Sequence, residues 1–400
     1  MLTISDRIKN IPVSASVAMT QRARELKANG VDVIALSTGE PDFPTPEHAI
    51  EAAYQAGLSG DTRYPPTDGT PELKNAIQKK FIRDNELHYE LNEITTAGGA
   101  KQVIFNTMLA TLNEGDEVLI PTPSWISYSD IVRIAGGTPV PLPCSEENGF
   151  KPLPSELNAA INKKTKWIII NYPNNPTGAT ASFDDLKSIA QILLDHPHVY
   201  ILSDDIYEHL IYDDEKFFTI AQVDPRLKER TLVVNGVSKA YSMTGFRLGY
   251  CAGPSDLIKV IGNINSQNSS GAATFSMAAS AAVLNGPQTL LKERAAIYKQ
   301  RRDYVLGRIE AINGLSCNVP QGAFYLFINV SGYIGKTTAT GTKINNDSDF
   351  VMALMEEKHV VTVQGAAYGM SPFLRISYAT SFEQLEKGCD RIEEFCNSCS

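Results

Sequence analysis

The sequence predicts an α/β fold with one large sheet domain and one smaller α/β domain. Short apolar segments alternate with helix-like stretches, and these segments lie near 94–97, 118–120, 167–170, 199–202, 231–234 and 248–252. Such alternation is typical of a mostly parallel sheet covered by helices on both faces. The chain has 400 residues, which is long for a single hydrophobic core, so a second and smaller domain is expected.

The order of the predicted elements divides the chain into three parts. Residues 1–45 are predicted to form an N-terminal arm and part of the small domain, 46–290 the large domain, and 291–400 the rest of the small domain. In the large domain, Ser182 followed by two acidic residues indicates the N-cap of a helix over 183–194.

The C-terminal part is predicted to begin with a long helix from about Leu290 to Ile312. Short strands and two helices should follow, with the strands at 323–329, 360–363 and 373–378. The stretch from Ser331 to Ser348 is rich in Gly, Thr and Asn and is predicted to be a surface excursion.

The composition argues against several classes of partner. The formal net charge of -9 does not fit a nucleic-acid surface, which needs basic patches. No apolar run reaches the ~20 residues of a membrane span, and residues 3–9 are too polar for a signal peptide. The six cysteines and six histidines show no disulfide or metal-ligand pattern, so no metal is expected. A reducing cytoplasm is the simplest location.

One lysine stands in a setting that fits covalent chemistry. Lys239 follows the apolar strand 231–234 in a Ser/Gly-rich loop, and Arg247 lies eight residues further on. A free lysine, with a pKa near ~10.4, is almost wholly protonated at neutral pH, so a nucleophilic lysine needs surroundings that lower that pKa. This pattern suits a Schiff-base lysine beside a phosphate site. A surface lysine on a polar loop is the alternative.

Further polar groups stand where such a site would need them. Asp204 ends an apolar strand, and a carboxylate is a natural partner for a cation in a partly buried site, although Asp205 competes for this role. Gly99 precedes a predicted helix, whose first N–H groups can bind a phosphate. Arg375 lies within the alternating strand 373–378, where a charge is unusual without a ligand, and arginine suits a carboxylate.

Together these motifs resemble those of the class I, fold-type I aminotransferases, which depend on pyridoxal 5'-phosphate (PLP). Ser238 to Arg247 is similar to the family's S-K-x-x-x-x-x-G-x-R, and Asp204 with Tyr207 is similar to its D-x-x-Y. The run 172–178 resembles the N-P-x-N-P-T-G turn, with Tyr172 where the family most often has Asn. The resemblance covers about 14–380 and implies the aspartate aminotransferase-like fold of PLP-dependent transferases.

The resemblance also implies a role for each matching residue around the cofactor ring. Lys239 would form the internal aldimine and then move the proton during catalysis, and Asp204 would hold the proton of the pyridine nitrogen. Tyr207 and Asn175 would donate hydrogen bonds to the ring hydroxyl. Trp125 would stack on the ring, although Ser124 replaces the tyrosine common beside it.

The phosphate and the substrate have their own implied partners. The residues implied for the phosphate and its loop are Gly99, Ala100, Lys101, Ser238, Arg247 and, from the neighbouring subunit, Tyr64. This last residue implies a homodimer with shared active sites. Arg375 and the N–H of Gly39 would bind the substrate α-carboxylate, beside Trp125 and Asn175.

Within the family, the chain resembles most the bacterial aspartate aminotransferases of subgroup Ib. In that subgroup a lysine after the phosphate loop and two N-terminal hydroxyl residues bind the distal carboxylate of the substrate. Lys101, Ser14 and Ser16 match these positions. The implied activity is transfer of an amino group from aspartate to 2-oxoglutarate by ping-pong kinetics.

Three alternatives remain open at this stage. The chain could prefer prephenate or aromatic amino acids, although Pro65 stands where users of prephenate are expected to have Thr. It could catalyse another PLP reaction, such as that of a β-lyase or a synthase, because a fold does not determine chemistry. It could also be a regulatory or binding module without turnover.

Overall fold

The computed structural model describes residues 3–9 and 11–400. The helices are α1 (Ala15–Ala28), α2 (Glu47–Leu58), α3 (Pro71–Asn85), α4 (Ala100–Thr111), α5 (Ser127–Ile134), α6 (Pro154–Ala160), α7 (Phe183–Asp195), α8 (Ile220–Val223), α9 (Ser255–Asn268), α10 (Thr274–Asn285), α11 (Thr289–Glu310), α12 (Asp347–Lys358) and α13 (Phe382–Ser398). The strands are β1 (Ile34–Ala35), β2 (Ile94–Ala97), β3 (Glu117–Thr122), β4 (Thr138–Pro143), β5 (Thr165–Ile170), β6 (Tyr200–Asp204), β7 (Thr231–Gly236), β8 (Gly249–Ala252), β9 (Ser316–Cys317), β10 (Tyr325–Asn329), β11 (Val360–Val361), β12 (Val363–Gln364) and β13 (Phe373–Ser377).

The large sheet has seven strands in the order β2-β8-β7-β6-β5-β3-β4. All neighbours from β7 to β4 run parallel, while β8 runs antiparallel to both β7 and β2. The predicted α/β fold with a mostly parallel sheet is therefore confirmed. The sequence analysis did not predict β4, because this strand carries three prolines and proline argues against a strand in the middle of a sheet. Proline is tolerated on an edge strand, and β4 lies at the edge of the sheet.

Helices cover both faces of this sheet, as the alternation of strands and helices predicted. In β5, Trp167 and Ile169 pack into one hydrophobic cluster with α4, α5 and α9, whereas Ile168 and Ile170 pack into another with α6 and α7. Successive side chains of a strand point to opposite faces, so a strand buried on both faces is apolar at every position. The central strand β7 is buried along its whole length.

The start of α7 shows how local chemistry fixes an element. The hydroxyl of Ser182 accepts a hydrogen bond from the N–H of Asp185 at 3.1 Å, and the Asp185 carboxylate accepts one from the N–H of Ser182 at 2.9 Å. This reciprocal capping satisfies N–H groups that have no partner within the helix. The N-cap predicted at Ser182 is confirmed.

The remaining strands form a second, antiparallel sheet in the order β12-β13-β10-β9 and a parallel pair of β1 with β11. A separate hydrophobic cluster joins α1 and β1 to α11, α12 and α13. The first and the last parts of the chain therefore share one core. The exact division at residues 45 and 290 stays a prediction.

One local prediction was wrong. The segment 360–363 is two strands, because the chain breaks at Thr362 and the halves join different sheets. The predicted surface excursion 331–348 is mostly exposed, and the buried side chains of Tyr333 and Ile344 anchor it to the core. Among the described residues, none of the helices is both long and apolar enough to cross a lipid bilayer.

Candidate active site

A cavity of about 350 Å³ opens where β5, β6 and β7 end. The register pairs Ile170 with Ser203 and Asp204 with Val234, so the carboxyl ends of these three parallel strands meet at one edge. This edge is where ligands of open α/β sheets collect. The predicted site residues that line the cavity are Ser16, Gly39, Ala100, Lys101, Trp125, Asn175, Asp204, Tyr207, Ser238, Lys239, Arg247 and Arg375.

Three predicted site residues do not line the cavity. Tyr64 is 92% exposed on the surface of this single chain. Ser14 is the N-cap residue of α1, and its side chain makes no capping hydrogen bond. Gly99 packs closely against the guanidinium of Arg247, which does line the cavity. The roles implied for these three residues stay predictions.

Lys239 extends into the cavity from the loop after β7. Its Nζ donates a hydrogen bond of 2.6 Å to the carbonyl of Gly39. Burial lowers the pKa of Lys239 to about 8; Glu40 opposes this change, and the guanidinium of Arg375 contributes to it. A lysine with this pKa is partly deprotonated near neutral pH, which is the condition for a nucleophilic amine.

Asp204 is the last residue of β6 and is buried. Its Oδ2 accepts a hydrogen bond of 2.6 Å from the phenol of Tyr128, while Oδ1 has no hydrogen-bond donor among the described residues. Burial raises the pKa of Asp204 to about 6, although the bond from Tyr128 opposes this change. The neighbouring Asp205 does not line the cavity, because its Oδ1 accepts from Ser203 on the other side of the strand end.

Arg375 enters the cavity from β13 and is 2% exposed. Its Nη1 donates to Oδ1 of Asn175 at 2.9 Å, and its Nη2 donates to the carbonyl of Ser37 at 2.5 Å. The rings of Tyr325 and Tyr368 lie 4.4 and 5.1 Å from the guanidinium carbon. Its Nε has no partner among residues 3–9 and 11–400, so the buried cation keeps a free donor, as a site for an anion requires.

Two buried phenols meet beside Arg375. The hydroxyls of Tyr207 and Tyr325 lie 2.7 Å apart, and both side chains line the cavity. Burial raises the pKa of Tyr325 to about 12 and that of Tyr207 well above its usual range, so both phenols stay neutral donors. A methyl group at Gly39 would lie 2.3 Å from the Tyr325 hydroxyl, so this packing requires a glycine.

The N-terminus of α4 forms one end of the cavity. Gly99 has φ +106°, and a Cβ there would lie 2.5 Å from Nη2 of Arg247. Arg247 itself adopts φ +51° and donates to the carbonyl of Thr244 at 2.9 Å. Free N–H groups of a helix start together with an arginine make a site suited to a phosphate.

Lys101, in the first turn of α4, lies beside Trp125, and Ser16 also lines the cavity. The ammonium of Lys101 lies 4.7 Å from the centre of the Trp125 ring. Burial and the charge of Arg247 lower the pKa of Lys101, and no carboxylate of the described residues opposes this change. A cation near the start of a helix is disfavoured unless an anion lies close to it. The hydroxyls of Ser16 and Tyr368 lie 3.3 Å apart.

Several residues of the cavity were not predicted. Tyr128, Tyr325, Asn171, Glu40 and Thr244 all line it. Asn171 directly follows β5, so the expectation that polar residues at the ends of parallel strands line the site could have identified it, as it identified Asp204. Glu40 could have been predicted because it directly follows Gly39, which was a predicted site residue. Tyr325 lies within a buried apolar strand, and nothing in its local sequence separates it from a core tyrosine.

Comparison with known proteins places this fold and site in one class. Residues 31–392 match the family described as aminotransferase class I and II. The chain belongs to this family, and it is an aminotransferase.

Relatives of known name cover the whole chain. An aspartate aminotransferase of Rhizobium meliloti (strain 1021) is 51% identical over 99% of this chain and 97% of its own length. An aspartate/prephenate aminotransferase of Cereibacter sphaeroides is 48% identical over all of both chains. The crystal structure of an aspartate aminotransferase from Rhizobium meliloti, 50% identical, superposes with a TM-score of 0.97 over all of both chains. An aspartate aminotransferase from Thermus thermophilus with maleate, 37% identical, gives 0.91 over 99% of this chain and 100% of that one.

Proposed function

We propose that this chain is a PLP-dependent aspartate aminotransferase, which moves the amino group of aspartate to 2-oxoglutarate. The observation that carries the proposal is that three groups line one cavity, namely Lys239, the buried cation of Arg375 and the Asp204 carboxylate, whose Oδ1 has no donor among the described residues. A Schiff-base lysine, a partner for a pyridinium and a binder for an α-carboxylate are the three groups that PLP-dependent transamination needs.

The residues present fit PLP. A pyridinium nitrogen would supply the donor that Oδ1 of Asp204 lacks, and its charge would stabilise the ionised carboxylate. The phosphate would lie at the start of α4, with Ala100, Ser238 and Arg247. Asn175 and Tyr207 would hold the ring hydroxyl, and Trp125 would cover one face of the ring. When bound, PLP supplies an electron sink for the bonds at the substrate Cα.

Lys239 would act twice in this scheme. It would hold the cofactor between turnovers, and the Nζ that a substrate amine displaces would act as the general base that takes the proton from the substrate Cα and as the general acid that gives it back. Its lowered pKa supports both steps, because each requires the neutral amine. The carbonyl of Gly39, which accepts from Nζ at 2.6 Å, orients it in the free enzyme.

Aspartate is favoured as substrate by two separated cations in the cavity. Arg375 would bind the α-carboxylate, and Lys101 with Ser16 and Ser14 would bind the distal carboxylate. Charge-assisted hydrogen bonds of this kind select dicarboxylic substrates. The names of the Rhizobium and Thermus relatives, and the maleate of the latter, agree with a dicarboxylate site.

A second candidate activity is transamination of prephenate. The relative from Cereibacter sphaeroides, 48% identical over the whole chain, is named an aspartate/prephenate aminotransferase. Prephenate also carries two carboxylates, so the same cations could bind it.

The homodimer is part of the proposal. Tyr64 is exposed in the single chain, as a residue that completes a partner's site would be. Other exposed apolar side chains lie on two helices that pack together, namely Ile50, Tyr54 and Leu58 on α2 and Phe275 on α10. Clustered exposed apolar groups often mark an interface between proteins.

The test is a panel of amino acids with the PLP-loaded enzyme. Aspartate with 2-oxoglutarate should give oxaloacetate and glutamate, with the parallel double-reciprocal plots of a ping-pong mechanism. Oxo acid formed without an acceptor would instead indicate a lyase. No product from any amino acid would indicate a binding module. Prephenate as the acceptor, with aspartate as the donor, tests the second activity.

A further inference from the structure

A buried ion pair lies outside the cavity, one residue beyond Tyr207 in the chain. The Nζ of Lys80 lies 2.5 Å from Oε1 of Glu208, and the two side chains are 1% and 3% exposed. Removing two charges from water costs several kcal/mol for each ion, which their attraction offsets only with good geometry and further hydrogen bonds. Neither residue lines the cavity, so contact with a ligand there does not explain this pair.

The Glu208 carboxylate accepts hydrogen bonds from two elements, α3 and β7. Asn235 of β7 donates to Oε1 at 2.7 Å, and Asn85 of α3 donates to Oε2 at 3.0 Å. Lys80, also on α3, donates to Oδ1 of Asn85 at 2.6 Å. The nearby Asp84 and His209 complete a group of possible metal ligands with Glu208, but the ammonium of Lys80 already lies on the same carboxylate.

These contacts join the two segments that carry the reacting groups. Glu208 lies four residues after Asp204, and its N–H donates to the carbonyl of Asp205 at 3.0 Å. Asn235 lies four residues before Lys239. One carboxylate therefore fixes the loop after β6 to the end of β7, and both to α3. Buried and fully bonded polar networks of this kind specify one arrangement of the elements they join.

The charge of Glu208 persists across the working pH range. Burial alone would raise the pKa of Glu208, but the ammonium of Lys80 and the ring of His209 hold it well below its usual range. The ion pair is therefore present wherever the enzyme is folded near neutral pH.

We propose that Glu208, with Lys80 as its counter-ion, is a positioning residue that sets Asp204 and Tyr207 relative to Lys239. The inference rests on the proposed function, because it concerns how those three groups meet the cofactor. A shift of about 1 Å in such groups costs roughly 10²-fold in rate. Glu208 itself does not line the cavity.

The test separates positioning from stability with two single variants and their combination. Glu208→Leu leaves the Lys80 charge unpaired and should be strongly destabilised, whereas adding Lys80→Met removes that charge and should recover much of the urea midpoint. In the double variant, kcat for aspartate should stay roughly 10²-fold low with KM changed by less than ~3-fold. In the double variant, the pH at which the visible absorbance of bound PLP changes should also remain different from the wild-type value.

A milder variant and a matched control complete the design. Asn235→Ala keeps the ion pair but removes its link to β7, and it should lower kcat about tenfold and shift the same absorbance titration. Lys166→Met with Asp116→Asn removes another ion pair, of 2.8 Å and partly buried, at the opposite end of β3 and β5 from the cavity, and should change only stability.

Two results would overturn the inference. One is a double variant whose kcat and absorbance titration return to wild-type values together with its stability. The other is an Asn235→Ala variant with unchanged kcat and titration. Failure of the proposed function looks different, because the wild-type protein itself would then bind no PLP or form no oxo acid.

Discussion

The phenol of Tyr128 donates a hydrogen bond of 2.6 Å to one oxygen of Asp204, and no described residue donates to the other, buried oxygen. A buried acceptor without a donor costs about 1–3 kcal/mol. A cation with an N–H group would remove this cost, and the pyridinium of the proposed cofactor is such a cation.

Asp204→Asn should lower kcat by at least ~10², because an amide keeps the shape but cannot stabilise the pyridinium proton. The measurement is steady-state turnover of aspartate at saturating PLP. Asp205→Asn is the matched control, since this neighbour does not line the cavity, and it should stay within a few-fold of wild type. An inactive Asp205→Asn beside an active Asp204→Asn would reassign the role.

Lys239→Ala should abolish turnover and still bind PLP without a covalent bond, because the other cofactor contacts remain. Borohydride reduction of the wild-type holoenzyme followed by peptide mapping should label Lys239. Label on a different lysine would contradict the assignment.

Lys101→Ala should lower kcat/KM for aspartate and glutamate by about tenfold to a hundredfold, as expected for a lost charge-assisted contact of roughly 1.5–3 kcal/mol. Phenylalanine should be nearly unaffected. The control is Lys228→Ala, which removes another lysine that lies over an aromatic ring, 4.6 Å from Tyr89. Equal losses for aspartate and phenylalanine would make Lys101 a phosphate contact instead.

Tyr64→Phe should weaken PLP binding about tenfold to a hundredfold if its hydroxyl reaches the phosphate of a partner subunit. Equilibrium dialysis of the cofactor measures this, and light scattering checks that the variant stays a dimer. Tyr200→Phe changes another exposed tyrosine and should leave the affinity unchanged. A monomeric wild-type protein would rule out the shared site.

The cofactor-free protein should become less stable as pH rises from 5 to 8. Burial raises the pKa of Asp204 to about 6 and of Asp205 to about 7, from 3.8. The native state thus holds protons that the unfolded chain has released, so the stabilisation is full below about pH 4 and is lost as pH rises through these values. Each pKa unit corresponds to ~1.4 kcal/mol. Asp205→Asn should reduce the difference between urea midpoints at pH 5 and pH 8, and an unchanged difference would contradict this origin.

The sequence predicted the parts of the site that depend on local order. Asn175, Asp204 and Lys239 each follow a parallel strand, so the strand pattern alone brings them to one edge. Tyr325 and Tyr368 could not be found this way. They reach Arg375 only because distant segments pair in an antiparallel sheet and because Gly39 packs closely against Tyr325. Neither contact can be predicted from the neighbouring sequence. The break at Thr362 was missed for the same reason.

The pairing of β1 with β11 also has a consequence for the order in which the protein forms during synthesis. Ile34 leaves the ribosome early, but its strand partner Val360 is made near the end. At about 5–20 residues per second, roughly 15–65 s separate the two. The large sheet can therefore form first, whereas the segment around Gly39 cannot take its final position until β11 has been synthesised. The cavity that Gly39 and Arg375 line can therefore be completed only once residues 360–375 have been translated.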